Sequence, residues 1–114
     1  MLTNRSAPSN TTLGHVFYED VAEAFEWLTK AFQFEETYRY GPPDQPQGGQ
    51  MRLGEACIQL SSVRPARAVP NTAGVMTQML TVFVPDVEAH LRHTKAAGVT
   101  LFEELNETFY GERQ

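Results

Sequence analysis

The sequence predicts an α+β fold assembled from two similar units, and three observations predict it. Short β-rich segments alternate with two stretches of helical periodicity. Each helical stretch opens on an Asp-Val pair that directly follows a β-rich segment. Phe17, Asp20, Val21 and Ala31 recur as Phe83, Asp86, Val87 and Ala97, all at an offset of 66 residues. Four identities in one structural context read as two copies of a β-α-β-β unit.

Residues 13–18 (Leu-Gly-His-Val-Phe-Tyr) are rich in β-formers and read as a strand. Asp20 is a helix N-cap, with Glu23 three residues on as in a capping box. Val21, Ala24, Phe25, Leu28, Ala31 and Phe32 then recur at helical spacing, so residues 21–32 form an amphipathic helix. A short strand is expected over 37–40. Residues 41–50 hold three prolines and three glycines and read as a loop. Strands over 50–53 and 56–61 meet at Gly54-Glu55. In the second unit, residues 79–84 read as a strand, and Asp86 caps a helix bearing Val87, Leu91 and Ala97. Gly98 is placed to end that helix. Residues 99–102 form a further strand, and 108–114 begin another.

Composition narrows the class. The chain has 114 residues, enough for one domain, and 41% are apolar, enough for one modest core. The net charge is -5 with both signs interspersed, so no nucleic-acid or membrane-surface partner is expected. No apolar run reaches the roughly 20 residues of a membrane helix. Residues 1–12 are polar and read as a flexible leader of a cytoplasmic protein. The single cysteine, Cys57, excludes an internal disulfide and a cysteine metal site.

The order and spacing of several motifs resemble the vicinal oxygen chelate superfamily, which includes glyoxalase I, extradiol dioxygenases and bleomycin resistance proteins. Phe17-Tyr18-Glu19-Asp20-Val21, then Phe25-Glu26-Trp27-Leu28 and Ala31-Phe32-Gln33-Phe34, look like that group's first helix and the turn after it. Val82-Phe83-Val84-Pro85-Asp86-Val87 with Ala96-Ala97-Gly98-Val99 is similar to the second. Tyr110-Gly111-Glu112-Arg113 resembles a late motif of the bleomycin-resistance-like branch. The resemblance implies two βαβββ modules forming a concave mixed sheet: module one over 13–61, a linker over 62–75, and module two over 76–114. It departs at Gln33, where the group usually has glycine. It also departs at the C-terminus, where the second module is incomplete.

Metal-dependent members hold a divalent ion with one side chain from each inward-facing strand. The resemblance places those positions at Leu13, Gln59 and Met79 or Leu80, with the fourth beyond Gln114. Leucine offers no ligand and thioether suits softer ions, so no metal and no cofactor is expected. His15 shares a strand face with Leu13. It reads as a pocket or structural residue before it reads as a catalytic one. Cys57, Gln59 and Ser61 alternate with Ala56, Ile58 and Leu60; if the second set packs under the helices, the first faces the concave side. Cys57 has no evident activating neighbour and reads as a small buried residue. His90 and His93 are expected to be solvated. Trp27 leaves the apolar stripe of its helix and is expected to face a partner subunit, while Phe25 and Phe32 are core.

The expected function is small-molecule binding without a working metal site, with ligand sequestration as one version. His15, Phe17, Arg52, Cys57, Gln59 and Ser61 are the candidate ligand contacts, and a homodimer is the expected assembly. A metal-dependent lyase or dioxygenase of the same superfamily and a non-ligand-binding interaction module stand as alternatives.

Overall fold

A computed structural model describes residues 12–70, 75, 76 and 79–114. Residues 1–11 of the expected leader and 71–74 of the expected linker lie outside the described residues. The elements are β1 (Gly14–Tyr18), α1 (Val21–Phe32), β2 (Glu35–Tyr40), β3 (Gly48–Leu53), β4 (Ala56–Ser62) and α2 (Val87–Ala96). The fold is α+β, and its first unit is a complete βαβββ module. The four strands form one mixed sheet in the order β1-β4-β3-β2. β1 runs parallel to β4, while the β4–β3 and β3–β2 pairs are antiparallel.

The apolar spacing of α1 decides its packing. Val21, Ala24, Phe25 and Leu28 turn inward and meet Met51, Ile58 and Leu60 from the sheet. Phe25 comes so close that a Cβ on Gly49 would lie 2.8 Å from its ring. The Arg39 guanidinium sits over that ring, 4.7 Å from its centroid. The helix starts where Asp20 Oδ1 accepts a hydrogen bond from the Glu23 N–H at 3.0 Å. It stops at Gln33, which adopts φ 64° and ψ 27°. That left-handed residue turns the chain so that the Phe34 N–H reaches the Leu28 carbonyl at 3.3 Å and the Phe34 side chain enters the core.

The second unit departs from expectation. Its helix α2 is capped by Asp86, whose Oδ1 accepts from the Ala89 N–H at 3.0 Å. Gly98, at φ 86°, closes it as expected, with the Gly98 N–H on the Lys95 carbonyl and the Val99 N–H on the Thr94 carbonyl. The strands expected over 79–84 and 99–102 are not formed. A strand persists through its ladder, and among the described residues no neighbouring strand takes up the backbone groups of either segment. Residues 108–114 likewise start no strand toward the sheet. Gly111, at φ 86°, reverses the chain, and the only ladder contact there is the Glu107–Arg113 bridge.

The two histidines of α2 are not simply solvated. His93 sits between the helices: its Nε2 meets the Lys30 carbonyl at 2.8 Å and its Nδ1 the Gln33 amide nitrogen at 3.3 Å. A carbonyl only accepts, so Nε2 carries the proton of this pair. His90 stacks on Phe32 at 6.2 Å between centroids. Thr94 donates to the Ala31 carbonyl at 3.0 Å in a buried contact. Sequence reasoning missed these contacts because each reaches the carbonyl end of α1, about 60 residues away along the chain.

Candidate functional site

One face of the sheet carries α1; the other holds the candidate contacts. Ile58 and Leu60 join the core with α1, so strand alternation turns Cys57, Gln59 and Ser61 to the opposite side. Pairing across the sheet then extends each of these positions into a row. His15 lies beside Gln59, Gln59 opposite Gln50, and Gln50 opposite Tyr38. Phe17 lies beside Ser61, Ser61 opposite Gly48, and Gly48 opposite Tyr40. Cys57 lies opposite Arg52, and Arg52 opposite Glu35. The six residues expected from the sequence therefore stand as three adjacent pairs on one face.

Their surroundings differ. Gln50, Gln59 and Ser61 are buried, while Phe17 and Cys57 are half-buried and His15 and Arg52 exposed. Arg52 is engaged: its guanidinium donates to Glu35 at 2.7 Å, and that carboxylate raises its pKa above the ordinary arginine value. No buried side-chain nitrogen or oxygen among the described residues lacks a hydrogen-bond partner. Cys57 also lines an apolar cleft of about 480 Å³ at the end of the sheet, floored by Phe34, Leu53 and Ile58 and bounded by residues 80–83.

Three residues of the face were not found in the sequence: Tyr38, Tyr40 and Gln50. Tyr40 lays its ring over Gly48, where an added Cβ would lie 2.6 Å from the phenol oxygen and 2.4 Å from the Leu60 carbonyl. Strict alternation from Glu35 would have put Thr37 on this face. A register shift between Glu36 and Tyr38 moves the tyrosines onto it instead. The signal available in the sequence was the Gly48-Gly49 pair, which marks close approach from both sides of a strand.

The donor set does not fit a divalent ion. Leu13 presents hydrocarbon and Gln59 a single amide, and Leu80 borders the apolar cleft. No group of three or more His, Cys, Asp or Glu among the described residues could hold a metal ion.

Comparison with known proteins gives the family. A profile of the Glyoxalase/Bleomycin resistance protein/Dioxygenase superfamily matches residues 11–114. The chain belongs to that superfamily. Its fold is similar to the crystal structure of TioX from Micromonospora sp. ML1, with a TM-score of 0.74 at 23% identity. That match covers 90% of this chain and 85% of TioX. It is also similar to VPC_CASS1, a structure from the mobile metagenome of V. Pseudocholerae, with a TM-score of 0.56 at 14% identity over 92% of this chain and 82% of the other. No curated protein matches the chain.

Proposed function

We propose that this chain binds a small molecule on the sheet face opposite α1, through shape and polar contact and without a reactive metal. The observation that carries the reading is the set of three adjacent pairs on that face, His15–Gln59, Phe17–Ser61 and Arg52–Cys57. Tyr38 and Tyr40 flank them across β3. A few polar groups among aromatic side chains on rigid strands are the usual anatomy of a ligand site. Leu13 and Gln59, at positions where metal-dependent relatives place ligands, argue for holding a ligand rather than activating one.

A thermal-shift screen of small organic molecules and divalent metals tests the reading, since a compound that binds the folded state raises its melting temperature. An organic compound is expected to raise the Tm of the wild type and to lose that effect in His15→Ala and Phe17→Ala. A divalent metal that binds one per chain and is lost in His15→Ala would defeat the reading in favour of metal-dependent chemistry.

A further inference from the structure

The side of the sheet that carries α1 has a cavity of its own. It opens where β1 runs into the helix, measures about 340 Å³, and is lined by Tyr18, Glu19, Asp20, Glu23, Ala24 and Trp27. Helical spacing builds most of its wall. Asp20, Glu23, Ala24 and Trp27 fall at i, i+3, i+4 and i+7, one stripe along the start of α1. Ala24 is buried and carries only a methyl group, so the stripe is hollow between its longer neighbours. Tyr18, the last residue of β1, packs against the core and supplies the second ring. Trp27 meets Phe32 edge-to-face at 5.0 Å between centroids, yet stays 44% exposed. Tyr18 alternates away from Phe17 along β1, so this cavity and the ligand face proposed above lie on opposite sides of the sheet.

The lining is chemically one-sided. Three carboxylates and two aromatic rings contribute to it, and no Lys, Arg or His does. None of the three carboxylates forms a salt bridge among the described residues. Asp20 accepts the Glu23 N–H, and three full negative charges outweigh the roughly half positive charge of the helix end. The cavity therefore refuses anions. Among the described residues no three acidic side chains converge closely enough to hold a metal ion, so the charge here acts as a field and not as a coordination site. A primary ammonium is strongly hydrated, and exposed carboxylates offer it little that water does not. A methylated ammonium is weakly hydrated. Its methyl groups suit Ala24, and its charge is drawn to aromatic rings.

We propose that this cavity binds a small quaternary ammonium compound, with Tyr18 and Trp27 against its methyl groups and Glu19, Asp20 and Glu23 supplying the field. Trp27 is the single tryptophan of the chain, so its fluorescence reads the cavity directly. Choline, at ionic strength matched with sodium chloride, is expected to change that fluorescence along a saturable curve in the millimolar range, since exposed cation–π sites are weak. Dimethylbutanol, its neutral isostere with carbon in place of the charged nitrogen, is expected to give no saturation over the same range. Glu23→Gln is expected to weaken choline about threefold. Trp27→Leu, followed through the choline methyl signal by NMR, is expected to weaken it about fivefold, and Trp27→Phe to keep most of the affinity. His15→Ala and Phe17→Ala, on the other side of the sheet, are expected to leave the curve unchanged. A wild type with no saturable response overturns the proposal. Equal binding of the neutral isostere overturns it too, and so does a response lost in His15→Ala. Should Trp27→Leu fail to fold, Glu23→Gln decides: an affinity equal to that of the wild type overturns it.

Discussion

Among the described residues, Gln33 is the non-glycine residue with a left-handed backbone. A side chain at φ 64° costs about 1 kcal/mol that glycine avoids. The amide of Gln33 offsets part of that cost through its contact with His93 Nδ1, although the contact is exposed. Gln33→Gly is therefore expected to raise the stability by roughly 0.5 kcal/mol and Gln33→Ala to lower it, because alanine keeps the Cβ and loses the amide. Urea midpoints of the three proteins give the order. A glycine variant less stable than the wild type would mean that the His93 contact outweighs the strain. Tyr18 makes a prediction of a different kind. Burial against the core raises its phenol above the ordinary value of 10.0. Below that value both folded and unfolded chains hold the proton, and the contribution is constant. Above it the unfolded chain loses the proton first, so stability falls as pH rises through the folded pKa. Tyr18→Phe is expected to lose less stability between about pH 8 and about pH 11 than the wild type does. Parallel slopes for the two proteins would count against a buried phenol.

At the scale of elements, the two helices begin alike and are held differently. Asp20 and Asp86 each accept one N–H of the first turn at 3.0 Å. Replacing either with alanine is expected to cost about 1 kcal/mol, read as a lower denaturant midpoint. Unchanged midpoints in both variants would show that the caps contribute nothing. These starts were legible in the sequence because a cap is local: an acceptor, then an apolar stripe a few residues on. The spans of α1 and the β4 strand were legible for the same reason, since their patterns report which side faces the core. The contacts between α1 and α2 were not. His93 and Thr94 bind carbonyls whose availability depends on how the two helices meet, and no local pattern encodes that. The tyrosines of β2 were hidden by the register shift after Glu36, which breaks the alternation that a reader counts along.

For the whole molecule, the first unit was readable from pattern and the second only at its helix. A strand's tendency is in its residues, but the strand itself exists through a neighbour; residues 79–84 have the first without the second. Clean alternation in β1, β3 and β4 puts the six residues named from the sequence on one side of the sheet, while their pairing across strands is visible only in the fold. The parallel pairing of those two strands also has a bearing on how the chain reaches its fold. Gly14 pairs with Ile58 and Tyr18 with Ser62, across α1 and two further strands. A hairpin can close as soon as its second arm is made, but β1 leaves the ribosome with no partner until β4 follows. The β2–β3 hairpin is thus the earliest stretch of sheet that can form by local closure, β4 then adds to β3, and β1 joins last, at the cost of the longest loop in the module. During synthesis, the first strand of this protein is the one that waits, an uncharged Gly-His-Val-Phe-Tyr run made before its partner β4 exists.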